Sequence, residues 1–194
     1  MPTIYLISGC NGAGKSTVSY TVLPEILDCK EYVNADNIAA GTSPFQPETV
    51  SLEAGRIMLE RINQLAASKV DFAIETTLSS RNYLSKLKEW QDKGYQIVLA
   101  FFWLNSPNLA IQRIIERVKK GGHSIPDEIV IRRYYRGIKN LFEYFISVCD
   151  YWVILDNSDE HPQVISEGIK DLELDIFNEE IWAAIKKVYY DQQN

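Results

Sequence analysis

The sequence predicts an α/β protein built on a five-stranded parallel sheet with helices on both faces. Three observations carry this. Five short apolar runs rich in β-formers open near Thr3, Glu31, Asp71, Tyr95 and Tyr151. Segments with apolar residues at helical spacing lie between them. Such alternation buries a parallel sheet between helix layers through right-handed crossovers, and ligands then gather at the carboxyl ends of the strands.

Taken in order, Thr3–Ser8 is long enough for one buried strand, and Ser16–Leu27 repeats Val18, Val22, Leu23 and Ile26 as a helix. Glu31–Asp36 reads as a second strand ending in an acid. Residues 37–47, with Gly41, Pro44 and Pro47, read as a loop. From Glu48 to Ser68 the spacing of Val50, Ala54, Ile57, Met58, Ile62 and Leu65 predicts a long amphipathic helix. Asp71–Thr77 is the third strand. A helix from about Arg81 to Lys93 stops at Gly94. Tyr95–Leu104 is almost wholly apolar, as a central strand covered on both faces should be, so Phe102 and Trp103 read as core. Pro107–Lys120 forms the next helix, broken by Gly121-Gly122-His123. Ser124 reads as the cap of a helix that carries Asp127 and Glu128 in its first turn and runs to about Val148. Tyr151–Asp156 is the fifth strand. The acidic tail from about 157 to 194 ends in one more amphipathic helix through Ile181, Trp182, Ile185 and Val188.

The 194 residues suit a single domain, 1–194, with a proper core. No apolar run approaches a membrane span and no signal-peptide pattern opens the chain. Cys10, Cys29 and Cys149 lack metal spacing, which predicts reduced thiols in a cytoplasmic protein. A net charge of −6 argues against a sequence-independent nucleic-acid coat. Residues 105–140 nevertheless carry eight basic side chains against three acids, a local field that suits a small anion.

The chain is organised around Gly9-Cys10-Asn11-Gly12-Ala13-Gly14-Lys15-Ser16-Thr17. This is the phosphate-binding loop pattern, set between a strand and a helix as the pattern requires. Its glycines let backbone N–H groups turn inward around a phosphate chain, and the helix adds the positive end of its dipole. Lys15 reaches the outer phosphates as a point charge, and the Ser16 hydroxyl is placed to ligate Mg²⁺. The motif places the chain among the P-loop nucleoside-triphosphate proteins, with Gly9, Asn11, Gly12, Ala13, Gly14, Lys15, Ser16 and Thr17 as nucleotide-binding residues. The second and third strands end in Asp36 and Glu75-Thr76-Thr77, on the same sheet edge. Asp36 there reads as a base for an attacking hydroxyl or as a cap. Glu75 reads as a Mg²⁺ support, a holder of substrate hydroxyls, or a surface acid. Residues 113–136 form a helical lid, with Arg113, Arg117 and Lys120 on one helix face and Arg132, Arg133 and Arg136 on the next. His123, in the hinge, reads as a bystander.

G-C-N-G-A-G-K-S-T, V-N-A-D-N-I-A, I-E-T-T-L-S-S and the segment from Arg117 to Gly137 together resemble the zeta-toxin family of P-loop kinases, in its short chromosomal branch, over about residues 3 to 156. The resemblance implies phosphorylation of the 3′-hydroxyl of UDP-N-acetylglucosamine with ATP or GTP, and an antitoxin protein as a partner. It implies that Lys15 and Ser16 or Thr17 bind phosphate and Mg²⁺, that Asp36 is the base, and that Glu75 and Thr77 contact substrate. Arg117 and one of Arg132 or Arg133 would reach the triphosphate, giving Asp36, Lys15 and Arg117 as the catalytic set. Where the larger toxins carry an Arg two residues after the motif Thr, this chain has Ser79, and Arg81 is the substitute. Other acceptors, or an acceptor-free hydrolase or switch, are the alternatives. An extended basic groove with aromatic platforms, as a polynucleotide kinase would need, is not evident.

Overall fold

The computed structural model describes residues 1–170, 172 and 174–192. Strands β1 (Thr3–Ser8), β2 (Tyr32–Val33), β3 (Phe72–Thr76), β4 (Gln96–Trp103), β5 (Tyr151–Asp156), β6 (Gln163–Ile169) and β7 (Leu174–Ile176) form one sheet in the order β2-β3-β1-β4-β5-β6-β7. The first five are parallel, as expected; β6 and β7 extend the edge antiparallel to β5 and to each other. The sheet is therefore mixed and seven-stranded, and the tail beyond 157 is not helical throughout. These two strands lack a clean alternation because Val164, Ile169, Leu174 and Ile176 all stand exposed. They hold through Ile165, fully buried, and through Gly168, over which the Trp152 ring lies so closely that a Cβ would meet it at 2.5 Å. Asp171, Glu173, Gln193 and Asn194 of the predicted tail lie outside the described residues.

The helices are α1 (Lys15–Glu25), α2 (Ala35–Thr42), α3 (Ser51–Ser68), α4 (Leu84–Asp92), α5 (Pro107–Lys119), α6 (Asp127–Asn140), a short α7 (Ile146–Val148) and α8 (Glu179–Asp191). A π-helical turn, Leu141–Phe145, joins α6 to α7. Strand β4 lies between β1 and β5; Ile97, Leu99 and Phe101 bury one face, Val98 and Ala100 on the other are half-buried, and Phe102 and Trp103 are buried at its carboxyl end. Helix α8 closes the far end: Ile185 is buried and Trp182 stacks on Trp152 at 6.4 Å. No helix among the described residues is long and apolar enough to cross a membrane.

Three local expectations are corrected. Residues 37–47 are not a continuous loop, because Asn34 caps a helix there by accepting from the Asp36 and Asn37 amides at 2.8 and 3.3 Å. Asp36 consequently sits in the first turn of α2, and β2 is only two residues long. Helix α6 starts after Pro126 with no side-chain cap, so Ser124 does not cap it. Its far end is tied to the turn after β3: the Asn140 amide donates to the Leu78 carbonyl at 2.6 Å, and Gly137 lies against the Thr77 carbonyl.

Candidate active site

Register builds the site. In β1 and β3, Ile7 pairs with Glu75 and Ser8 with Thr76, so the phosphate loop leaves the sheet directly beside the Glu75 carboxylate. In β2 and β3, Tyr32 pairs with Ala73, which puts Tyr32 on the same sheet face as Glu75 two residues on.

The loop turns through Gly12 and Gly14 at φ 80 and 81, values that a side chain adopts only under strain. A Cβ on Gly12 would stand 2.6 Å from the Ala110 carbonyl oxygen of α5. Gly12→Ala is expected to cost about 2 kcal/mol or more. In a thermal melt it should lower Tm by roughly 5 °C for a domain of this size. An unchanged melt would show that the loop rearranges freely.

Lys15 is buried, 5% exposed, and its Nζ donates to the Cys10 carbonyl at 2.9 Å while lying 3.5 Å from Glu75 Oε1. The other carboxylate oxygen, Oε2, accepts from Ser16 Oγ at 2.7 Å, from Asn34 Nδ2 at 2.8 Å and from the Tyr32 hydroxyl. Burial and the Glu75 charge push the Tyr32 phenol up, so it remains a proton donor. Burial likewise pushes the Cys10 thiol to about 11, which makes it packing rather than a nucleophile. Asn157, after β5, clasps the loop by donating to the Ala13 carbonyl at 2.7 Å.

A cavity of about 730 Å³ opens over this loop. Asn11, Gly12, Gly14, Lys15, Ser16, Thr17, Asp36, Glu75 and Arg117 of the expected residues line it. Arg113 is also there, but its guanidinium is committed to backbone carbonyls of Asn157 and Ser158 at 2.7 and 2.9 Å, so it holds the wall. Arg117 donates to the His123 carbonyl at 3.1 Å, and its Nε is buried without a partner. Arg133 lies behind the lining, donating to Asn11 Oδ1 at 2.9 Å; its burial pushes the guanidinium down against the opposing pull of Asp36. Arg132 and Arg136 face solvent. Gly9 and Ala13, within the loop, fall outside the lining. Thr77, bonded to the Ser79 hydroxyl at 2.8 Å, and Arg81, whose guanidinium stacks 4.7 Å over the Tyr144 ring and donates to its hydroxyl, also fall outside the lining.

His123, read as a bystander, is placed 3.7 Å from the Asp36 carboxylate. Tyr32 and Asn157 act through partners distant in the chain, which no local pattern announces, and Asn34 joins its local helix cap to a distant bond with Glu75. Ser16 and Glu75 offer hard oxygen donors of the type Mg²⁺ takes alongside nucleotide phosphates. Among the described residues no group of three or more His, Cys, Asp or Glu side chains could hold a metal alone.

Solved structures share this P-loop kinase fold. A chain of the AvrRxo1-ORF1:-ORF2 complex, solved with ATP, superposes with a TM-score of 0.75 at 14% identity, covering 97% of this chain and 64% of that one. This chain therefore spans just under two thirds of that protein. A chain of the PezAT chromosomal toxin–antitoxin system of Streptococcus pneumoniae gives 0.66 at 15% identity, with 98% and 87% covered. A gluconokinase from Sinorhizobium meliloti gives 0.52 at 15% identity, with 99% and 95% covered. At such identities the likeness is one of fold. An uncharacterized protein of Haemophilus influenzae is 29% identical over 126 residues, 65% of this chain and 88% of that protein. The family model described as Zeta toxin matches residues 1–160, and the chain belongs to the zeta-toxin family.

Proposed function

We propose that this protein is a kinase that moves the γ-phosphoryl of ATP or GTP to the hydroxyl of a small acceptor, with UDP-N-acetylglucosamine as the first acceptor to test. The observation that carries this is one cavity holding Lys15 and Ser16 on the phosphate loop together with the Asp36 carboxylate on α2. Phosphoryl transfer needs positioning and charge compensation more than covalent chemistry. The loop amides and Lys15 bind the phosphate chain. Asp36 takes the proton from the acceptor hydroxyl as its oxygen bonds to the γ-phosphorus, and the bond to the bridging oxygen breaks to release nucleoside diphosphate. Arg117, on a lid formed by residues 113–136, offsets charge on the transferring group and helps exclude water. Ser16 and Glu75 would hold Mg²⁺, which supplies further neutralisation of the phosphate oxygens. Family membership supports an antitoxin protein as a partner, and the buried free thiols support a cytoplasmic setting.

Incubation of the purified protein with ATP, Mg²⁺ and UDP-N-acetylglucosamine should yield a sugar nucleotide heavier by one phosphate, read by mass spectrometry. A second reading, an acceptor from another metabolite class, is favoured by Arg81. Bound to Tyr144 at the surface, it does not supply the cavity with the cation that larger family members carry nearby. ATP turnover on other hydroxyl compounds, with UDP-N-acetylglucosamine unmodified, would select that reading. Absence of phosphoryl transfer to any acceptor would reject the kinase.

A further inference from the structure

Glu75 has two routes to function, toward the acceptor or toward the phosphate and its cation, and its hydrogen bonds separate them. A carboxylate is acceptor-only, with about four lone-pair sites. Oε2 takes three donors, from Ser16, Asn34 and Tyr32, and Oε1 faces the Lys15 ammonium at 3.5 Å. Oε1 accepts no hydrogen bond from the described residues, and the charged group it faces is the phosphate-loop ammonium, so its open lone pairs lie on the phosphate side. The Ser16 hydroxyl carries one proton, and at 2.7 Å from an acceptor-only group it must spend that proton on Glu75. Its lone pairs are then free for a cation. Tyr32 and Asn34 hold the carboxylate in place from the neighbouring strand and the cap of α2, and Asn34 also donates to the Tyr32 hydroxyl at 3.3 Å.

We propose that Tyr32 and Asn34 form a clamp that commits Glu75 to the cation side of the site, so that Glu75 and Ser16 together discriminate cation-bound from free nucleotide. The inference rests on the phosphate-loop reading and deepens it. The physical basis is charge. A nucleotide phosphate arriving without a cation meets a fixed carboxylate beside Lys15 and is repelled; one arriving with a cation finds an oriented hydroxyl and a compensating negative charge. Glu75 and its two holders thereby act as positioning residues for the phosphates, not as acceptor ligands.

Calorimetric titration with ADP in EDTA and with ADP plus Mg²⁺ tests this without any acceptor or turnover. The wild-type protein should bind the Mg²⁺ form about tenfold or more tightly than the free form. Glu75→Gln should bring that ratio to about threefold or less, chiefly by tightening metal-free ADP, since the repulsion is gone. Tyr32→Phe retains the ring and its edge contact with Tyr20, centroids 5.8 Å apart, and should give an intermediate ratio. A wild-type ratio retained by Glu75→Gln would overturn the cation-side role. A reduced ratio in Glu75→Gln with a wild-type ratio in Tyr32→Phe would overturn the clamp. Wild-type protein that binds neither form would overturn the phosphate-loop reading along with the inference, so the two failures are distinguishable.

Discussion

Lys15→Ala is expected to reduce nucleotide turnover by about a thousandfold, or about 4 kcal/mol of transition-state stabilisation. The ammonium is 5% exposed and lies between the Cys10 carbonyl and the Glu75 carboxylate. It is already stripped of most of its water and held at the phosphate loop, so little reorganisation precedes phosphate binding. Removing it subtracts a cation where negative charge is greatest and leaves the Glu75 carboxylate facing the phosphates unopposed. Breaking a buried pair in this way is costly, about 3–5 kcal/mol where no other group compensates. Here the donors from Ser16, Asn34 and Tyr32 remain on Glu75, so the empty protein should still fold. The deficit should appear in nucleotide binding and turnover, with a thermal melt close to wild type. Initial rates of ADP release check this; a variant within tenfold of wild type would remove Lys15 from the chemistry.

The parts of the molecule that were readable from sequence are those whose signals are local. Strands β1, β4 and β5 are short apolar runs, α3 repeats its buried residues at helical spacing, and the phosphate loop is a contiguous motif. Helix α2 was missed because its Gly41 and the prolines beyond it suggest a loop, while its formation depends on the Asn34 cap. Strands β6 and β7 were missed because they form a half-exposed edge whose inward residues include Ser166 and Gly168, neither of which reads as core. The site divides in the same way. Lys15, Ser16 and Asp36 follow from motif and position in the fold. The roles of Tyr32 and Asn34 come from contacts 43 and 41 residues away in sequence, and that of Asn157 from one 144 residues away. Arg113 shares the predicted helix face with Arg117 but holds the wall, because helical spacing fixes a face but not the acceptor that the face meets.

Asp36→Asn is expected to leave ADP binding within about twofold of wild type while lowering phosphoryl transfer by about 10²–10⁴-fold, the usual contribution of a positioned general base. The substitution is nearly isosteric and lies in the first turn of a helix that Asn34 caps through the backbone, so the local fold does not depend on the carboxylate. Loss of the charge at the helix N-terminus costs about 0.3–1 kcal/mol of stability, too little to account for such a rate loss. The carboxylate is half exposed and lines the cavity, with His123 3.7 Å away. Arg133, which its charge also reaches, is anchored to Asn11. A base at this position needs its carboxylate, whereas a structural residue in the first turn of α2 does not, so the two roles predict different outcomes. A cap acts by accepting backbone amides with its side-chain oxygen, and for α2 Asn34 already does so. Single-turnover transfer by the Asn variant, measured with saturating nucleotide once the acceptor is identified, separates the two roles. Transfer within threefold of wild type would make Asp36 structural and move the search for the base to His123; a loss of a hundredfold or more with ADP affinity retained places the proton on Asp36.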